Sequence, residues 1–65
     1  MSWRDGDVIL EGNHYKVIYN ENFVAMPFAV VEKNSGMRMA SYSSDRAARA
    51  AVRHYDKQFE EGKVA

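Results

Sequence analysis

Cysteine is absent from this 65-residue chain, which excludes a disulfide framework, a cysteine-based metal site and any thiol redox role. Proline occurs once, and the four glycines, Gly6, Gly12, Gly36 and Gly62, stand apart from one another. No glycine-rich phosphate loop can be built from them. Net charge is also missing, since nine basic residues balance nine acidic ones. That counts against nucleic-acid binding, which normally rests on a basic excess or patch. No apolar run approaches the ~18 to 20 residues that span a bilayer. The opening Met1-Ser2-Trp3-Arg4-Asp5-Gly6 lacks the apolar stretch of a signal peptide. A soluble, cytoplasmic protein is the expectation. Repeats, low-complexity tracts and linkers are absent as well.

What remains is ordinary globular composition, 46% hydrophobic and 28% charged. The length corresponds to one small domain, 1–65. A chain of this size buries only roughly 60% of its surface on folding. With no covalent staple, it depends on a well-packed core, on self-association or on a partner.

The clearest element lies in the last third. Tyr42-Ser43-Ser44-Asp45 leads into Arg46-Ala47-Ala48-Arg49-Ala50-Ala51-Val52-Arg53-His54-Tyr55-Asp56-Lys57-Gln58-Phe59. A serine cap before alanine-rich periodic sequence predicts a helix from about Ser44 to Glu61, with Gly62 as its stop and Lys63-Val64-Ala65 fraying. At ~100° per residue, Ala48, Ala51, Val52, Tyr55 and Phe59 share one side. Arg46, Arg49, Arg53 and Lys57 fall on nearly the opposite side. Small Ala48 and Ala51 let the helix sit close to a sheet.

Ahead of the helix, Asp5-Gly6 signals a turn and Val8-Ile9-Leu10 a short strand. Gly12-Asn13 reads as a two-residue hairpin loop with glycine first, as a type II′ turn requires. The return strand is His14 to Tyr19, with Tyr15, Val17 and Tyr19 on one face and His14, Lys16 and Ile18 on the other. Pro27 cannot donate to a ladder, so it marks an edge, a bulge or a strand start. Phe28 to Lys33 is the best strand. Asn34-Ser35-Gly36 fits a hairpin loop with a left-handed glycine, and Met37 to Tyr42 returns. The predicted fold is α+β: a three- to four-stranded antiparallel sheet of two hairpins with one C-terminal helix on one face.

Catalytic chemistry finds little support. His14 and His54 lie on separate elements, and Asp5, Asp7 and Glu11 have no paired-carboxylate spacing. His54 and Asp56 do not share a helical face and lack further ligands. Ser41, Ser43 and Ser44 read as turn and capping residues. No enzyme, cofactor or metal is expected.

Two features could bind a partner. Residues 46 to 57 carry four cations against Asp56, a local +3, while 5 to 11 carry a local −3. Like-charge neighbours at helical spacing cost about 0.2 to 0.5 kcal/mol each, relieved where Asp45 pairs with Arg49 and Lys57 with Glu61. The second feature is an excess of large apolar residues. One helix cannot cover Tyr15, Tyr19, Phe23, Met26, Phe28, Met37, Met39, Tyr42 and Trp3 together. Either Trp3 and the N-terminal segment fold over the open sheet face, or an apolar patch remains for a homodimer or another partner.

These observations favour a non-enzymatic protein-interaction module, an adaptor or inhibitor of the compact kind that phages and mobile elements encode. The helix arc Arg46, Arg49, Arg53 and Lys57 would steer the partner. Arg38, Met37, Met39 or tyrosines would anchor it from the sheet side. The alternative is a small nucleic-acid-binding protein that grips phosphate with the same arc, helped by Lys16, Lys33 and Arg38.

Overall fold

A computed structural model describes residues 3–62. The predicted α+β architecture is present: β1 (Val8–Glu11), β2 (Tyr15–Tyr19), β3 (Phe28–Glu32), β4 (Arg38–Tyr42) and α1 (Asp45–Gly62). The strands form one antiparallel sheet in the order β1-β2-β3-β4. Both hairpins therefore belong to the same sheet, joined through the β2–β3 pair.

Alternation sorts the side chains between two faces. Tyr15 and Val17 of β2 and Phe28 and Val30 of β3 meet Ala48 and Val52 of the helix in the buried core. Val17, Val30 and Val52 are fully buried, each contributing about 1.5 to 3 kcal/mol. Tyr55, Phe59, Tyr42 and Leu10 pack around this centre. Burial pushes the Tyr15 and Tyr42 phenols upward, and at Tyr42 the neighbouring Tyr55 adds to the effect. Trp3 packs edge-on to Phe28 at 5.2 Å and tilted over Tyr19 at 5.9 Å. It thus extends the core beside the helix and does not cross to the other sheet face, where Ala29 and Val31 of the central strand are nonetheless buried.

The helix begins as its sequence predicts. Ser44 accepts the Ala47 N–H with its hydroxyl and the Ala48 N–H with its carbonyl, and Asp45 in the first turn complements the dipole. Two glycines take the left-handed backbone, Gly6 (φ 89°) in the Asp5-Gly6 turn and Gly36 (φ 74°) in the β3–β4 loop. That second loop, Lys33 to Met37, is two residues longer than predicted, because β3 ends at Glu32 and β4 starts at Arg38. Pro27 immediately precedes β3, and its carbonyl accepts the Asn20 N–H.

The first hairpin differs from its prediction. Gly12 has no positive φ, and its N–H donates to the Tyr15 carbonyl at 2.8 Å. The loop is Asn13-His14, one position later, and the strand starts at Tyr15. The cause is Asp56 of the helix. Its carboxylate accepts the N–H groups of Asn13 (3.0 Å), His14 (2.8 Å) and Tyr15 (3.1 Å). With an external acceptor for three donors, the loop does not need a mirror-image turn. His14 is consequently not on the open face with Lys16. Its ring stacks on Phe59 at 4.1 Å and lies 3.5 Å from Glu60.

Both edge strands carry an irregularity. On β1 it falls at Ile9, between the pairs Val8↔Ile18 and Leu10↔Val17. On β4 it falls at Met39, between Val30↔Ala40 and Val31↔Arg38. Each extra residue resets the alternation, so Val8 and Glu11 share the open face with Lys16 and Ile18, and Arg38 shares it with Ser41.

Candidate functional site

The helix arc lies where its periodicity places it. Arg46, Arg49, Arg53 and Lys57 are all exposed, on the side of α1 turned away from the sheet. Arg49 pairs with Asp45 at 3.4 Å. Lys57 does not pair with Glu61 as expected. Among the described residues the ion pairs are Arg49–Asp45 and Lys33–Glu11, and the His14 ring nitrogen lies beside the Glu60 carboxylate. Glu60 turns toward His14 and Asn13 instead. Arg46, Arg53 and Lys57 therefore have no carboxylate within 4 Å among those residues. A helix contributes such a surface cheaply, because long side chains there keep their freedom and stay hydrated.

The opposite side of the molecule is the open sheet face. Cross-strand pairing arranges it in two rows. One row runs Glu11, Lys16, Val31, Arg38. The other runs Val8, Ile18, Ala29, Ser41. Beside β4 the β2–β3 loop adds apolar side chains, and the Arg38 guanidinium lies 4.3 Å from the centre of the Phe23 ring. Phe23, Val24, Ala25, Met26, Arg38 and Ser41 line an open groove of about 430 Å³. Exposure is 40% at Phe23, 87% at Val24, 52% at Met26, 49% at Val8, 61% at Met37 and 40% at Met39.

The predicted anchors are therefore redistributed. Arg38 is on the open face, and Met37 and Met39 are exposed at the β4 edge, Met39 as the bulged residue. The tyrosines are not available there, since Tyr15, Tyr19 and Tyr42 all pack on the helix side. Their place is taken by Phe23, Val24 and Met26; Phe23 and Met26 were among the large apolar residues of the sequence, but the contact of Phe23 with Arg38 was not visible there. The arc and the sheet-side patch also lie on opposite faces, so one compact partner cannot touch both.

Lys33 stitches the two hairpins together. Its ammonium reaches the Glu11 carboxylate at 3.0 Å and the Gly12 carbonyl at 3.2 Å. The hydrogen bond and charge of Lys33 hold the Glu11 carboxyl below its usual range. A depressed folded value means that the pair stabilises the fold above the ordinary carboxylate pKa, and that this support disappears as pH falls through the folded value. Replacing Lys33 with Gln returns the Glu11 midpoint upward, as a carboxyl-carbon NMR titration would record. Being exposed, the shift shrinks as salt is added.

Among the described residues no group of three or more His, Asp or Glu side chains could hold a metal ion. No helix among those residues is long and apolar enough to cross a membrane. Comparison with protein-family models, with curated proteins and with solved structures finds no match to this chain.

Proposed function

We propose that this protein is a non-enzymatic protein-interaction module, an adaptor or inhibitor, that docks through its open sheet side. The observation that carries the reading is the run Phe23, Val24 and Met26, left 40 to 87% exposed beside an uncovered sheet face. Small domains seldom leave large side chains clustered in water unless a partner covers them, and Phe and Met are enriched at such contacts. Arg46, Arg53 and Lys57, on the far side, take no part in that docking and remain available to a separate acidic contact.

The second reading, phosphate-backbone binding, is favoured by the four exposed cations of the helix. One set of variants separates the two. Arg49→Gln/Arg53→Gln changes stability by less than about 0.5 kcal/mol, as expected for exposed side chains. It leaves protein capture intact, whereas Met26→Asp abolishes capture and preserves the fold by circular dichroism. Tight, salt-steep binding of duplex DNA that disappears in Arg49→Gln/Arg53→Gln would replace the first reading with the second.

A further inference from the structure

We propose that the sheet-side partner is a second copy of this chain, packed face to face about a two-fold axis that runs along the strands between β2 and β3. This deepens the reading above by naming the occupant of the same surface. The argument is self-complementarity. Such an axis reverses the order of strands, so that β1 of one copy lies over β4 of the other and β2 over β3. In the charged row it sets Glu11 against Arg38 of the second copy, twice, and lays the apolar stem of each Lys16 over a Val31. In the second row it sets Ile18 over Ala29, which is already buried within one chain, and Val8 against Ser41. An axis perpendicular to the strands would instead lay each strand over its own copy, setting Arg38 on Arg38 and Glu11 on Glu11 where it crosses the charged row, and Arg38 on Ser41 and Glu11 on Val8 where it runs between the rows, so that it never sets acid against base.

Three further observations agree. The Phe23–Met26 loop flanks β4, so in this arrangement it reaches the β1 edge of the second copy, where Val8 is half exposed. The Arg38 guanidinium sits over the Phe23 ring and has no carboxylate partner among the described residues, so its N–H fork is open to one. Irregular residues Ile9 and Met39 interrupt both sheet edges, and bulged edges resist edge-to-edge pairing. Association is thereby directed to the face. Facing sheets sit about 10 Å apart, a gap that long Glu and Arg side chains span.

Size sets the affinity. Four strands at ~4.8 Å spacing and five residues at ~3.3 Å make a face of only about 19 by 17 Å. A stable interface buries about 800 Å² per partner, so the flat face needs the Phe23–Met26 loop to approach that area. A dimer of micromolar dissociation constant is expected.

Sedimentation equilibrium from about 1 μM to 1 mM tests this. The wild type dimerises across that range. Glu11→Arg and Arg38→Glu each weaken the dimer about tenfold or more, because each places like charges opposite twice. Mixed one to one, the two variants form a heterodimer, since both contacts are then attractive. Urea unfolding of each variant alone separates a weakened dimer from a weakened fold, since Glu11→Arg also removes the partner of Lys33. A wild type that stays monomeric to the top of the range overturns the proposal, as does a mixture that associates no better than its components. If the protein is monomeric while Met26→Asp still abolishes capture of another protein, the dimer is wrong and the interaction module stands. If Met26→Asp changes neither, both are wrong.

Discussion

Replacing Gly12 with alanine lowers the stability of this protein by about 3 kcal/mol, at the upper end of the cost of overpacking. A Cβ there would lie 2.7 Å from Val52 Cγ1 and 2.9 Å from the Tyr15 carbonyl oxygen, and closer still to an Asp56 carboxylate oxygen. None of the three can yield. Val52 is fully buried, the Tyr15 carbonyl accepts the Gly12 N–H, and Asp56 holds three backbone donors. Because Gly12 has an ordinary negative φ, alanine would otherwise be tolerated and even gain about 0.4 to 1 kcal/mol from a stiffer unfolded chain. The glycine is there for space. In a chain of this length the loss corresponds to roughly 15 °C in melting temperature, readable from helix circular dichroism or from Trp3 emission. Gly62→Ala, which meets nothing within 4 Å, is the control and stays within about 1 kcal/mol. A Gly12→Ala protein as stable as the parent would show that helix and hairpin are not in close contact.

The second large effect is at Asp56. Asp56→Ala removes the acceptor of the Asn13, His14 and Tyr15 N–H groups and costs about 2 to 3 kcal/mol, less than three charged hydrogen bonds summed, because water reaches this half-exposed loop. Asp56→Asn costs about half as much, since its amide oxygen still accepts. The diagnostic is local. Amide exchange at residues 13 to 15 accelerates in Asp56→Ala beyond what global destabilisation produces. Unchanged exchange at those three amides would mean that the carboxylate is not their partner.

These two residues also show where a sequence reading stops. The helix was legible because its signals are local: Ser44 as cap, Ala48, Val52, Tyr55 and Phe59 on one stripe, the arginines on the other. Gly36 and Pro27 were legible for the same reason, each acting through its own backbone. Gly12 looked like a turn glycine because that is the commonest use of glycine before asparagine. Its actual constraint comes from Val52 and Asp56, some forty positions away. Asp56 looked like one more surface charge beside Lys57, since periodicity says which way a side chain points and nothing about what arrives there.

The open face divides along the same line. Lys16 and Ile18 could be assigned to it by simple alternation within β2. Glu11 and Arg38 could not, because the extra residues at Ile9 and Met39 shift the alternation and are defined only by pairing with the neighbouring strand. The cation–π contact of Arg38 with Phe23 joins a strand to a loop fifteen residues earlier, and Trp3 packs on the helix side because Tyr19 and Phe28 present rings there.

The order of elements, the helix with its two flanks and the presence of more large apolar side chains than one helix can shelter were determined by the chain itself, through propensity, capping and period. Register, the clasp of Asp56 on the first hairpin and the placement of an acid and a base at opposite ends of one row were decided only by tertiary structure. Each of these depends on distances between segments remote in sequence, which local backbone preferences do not encode.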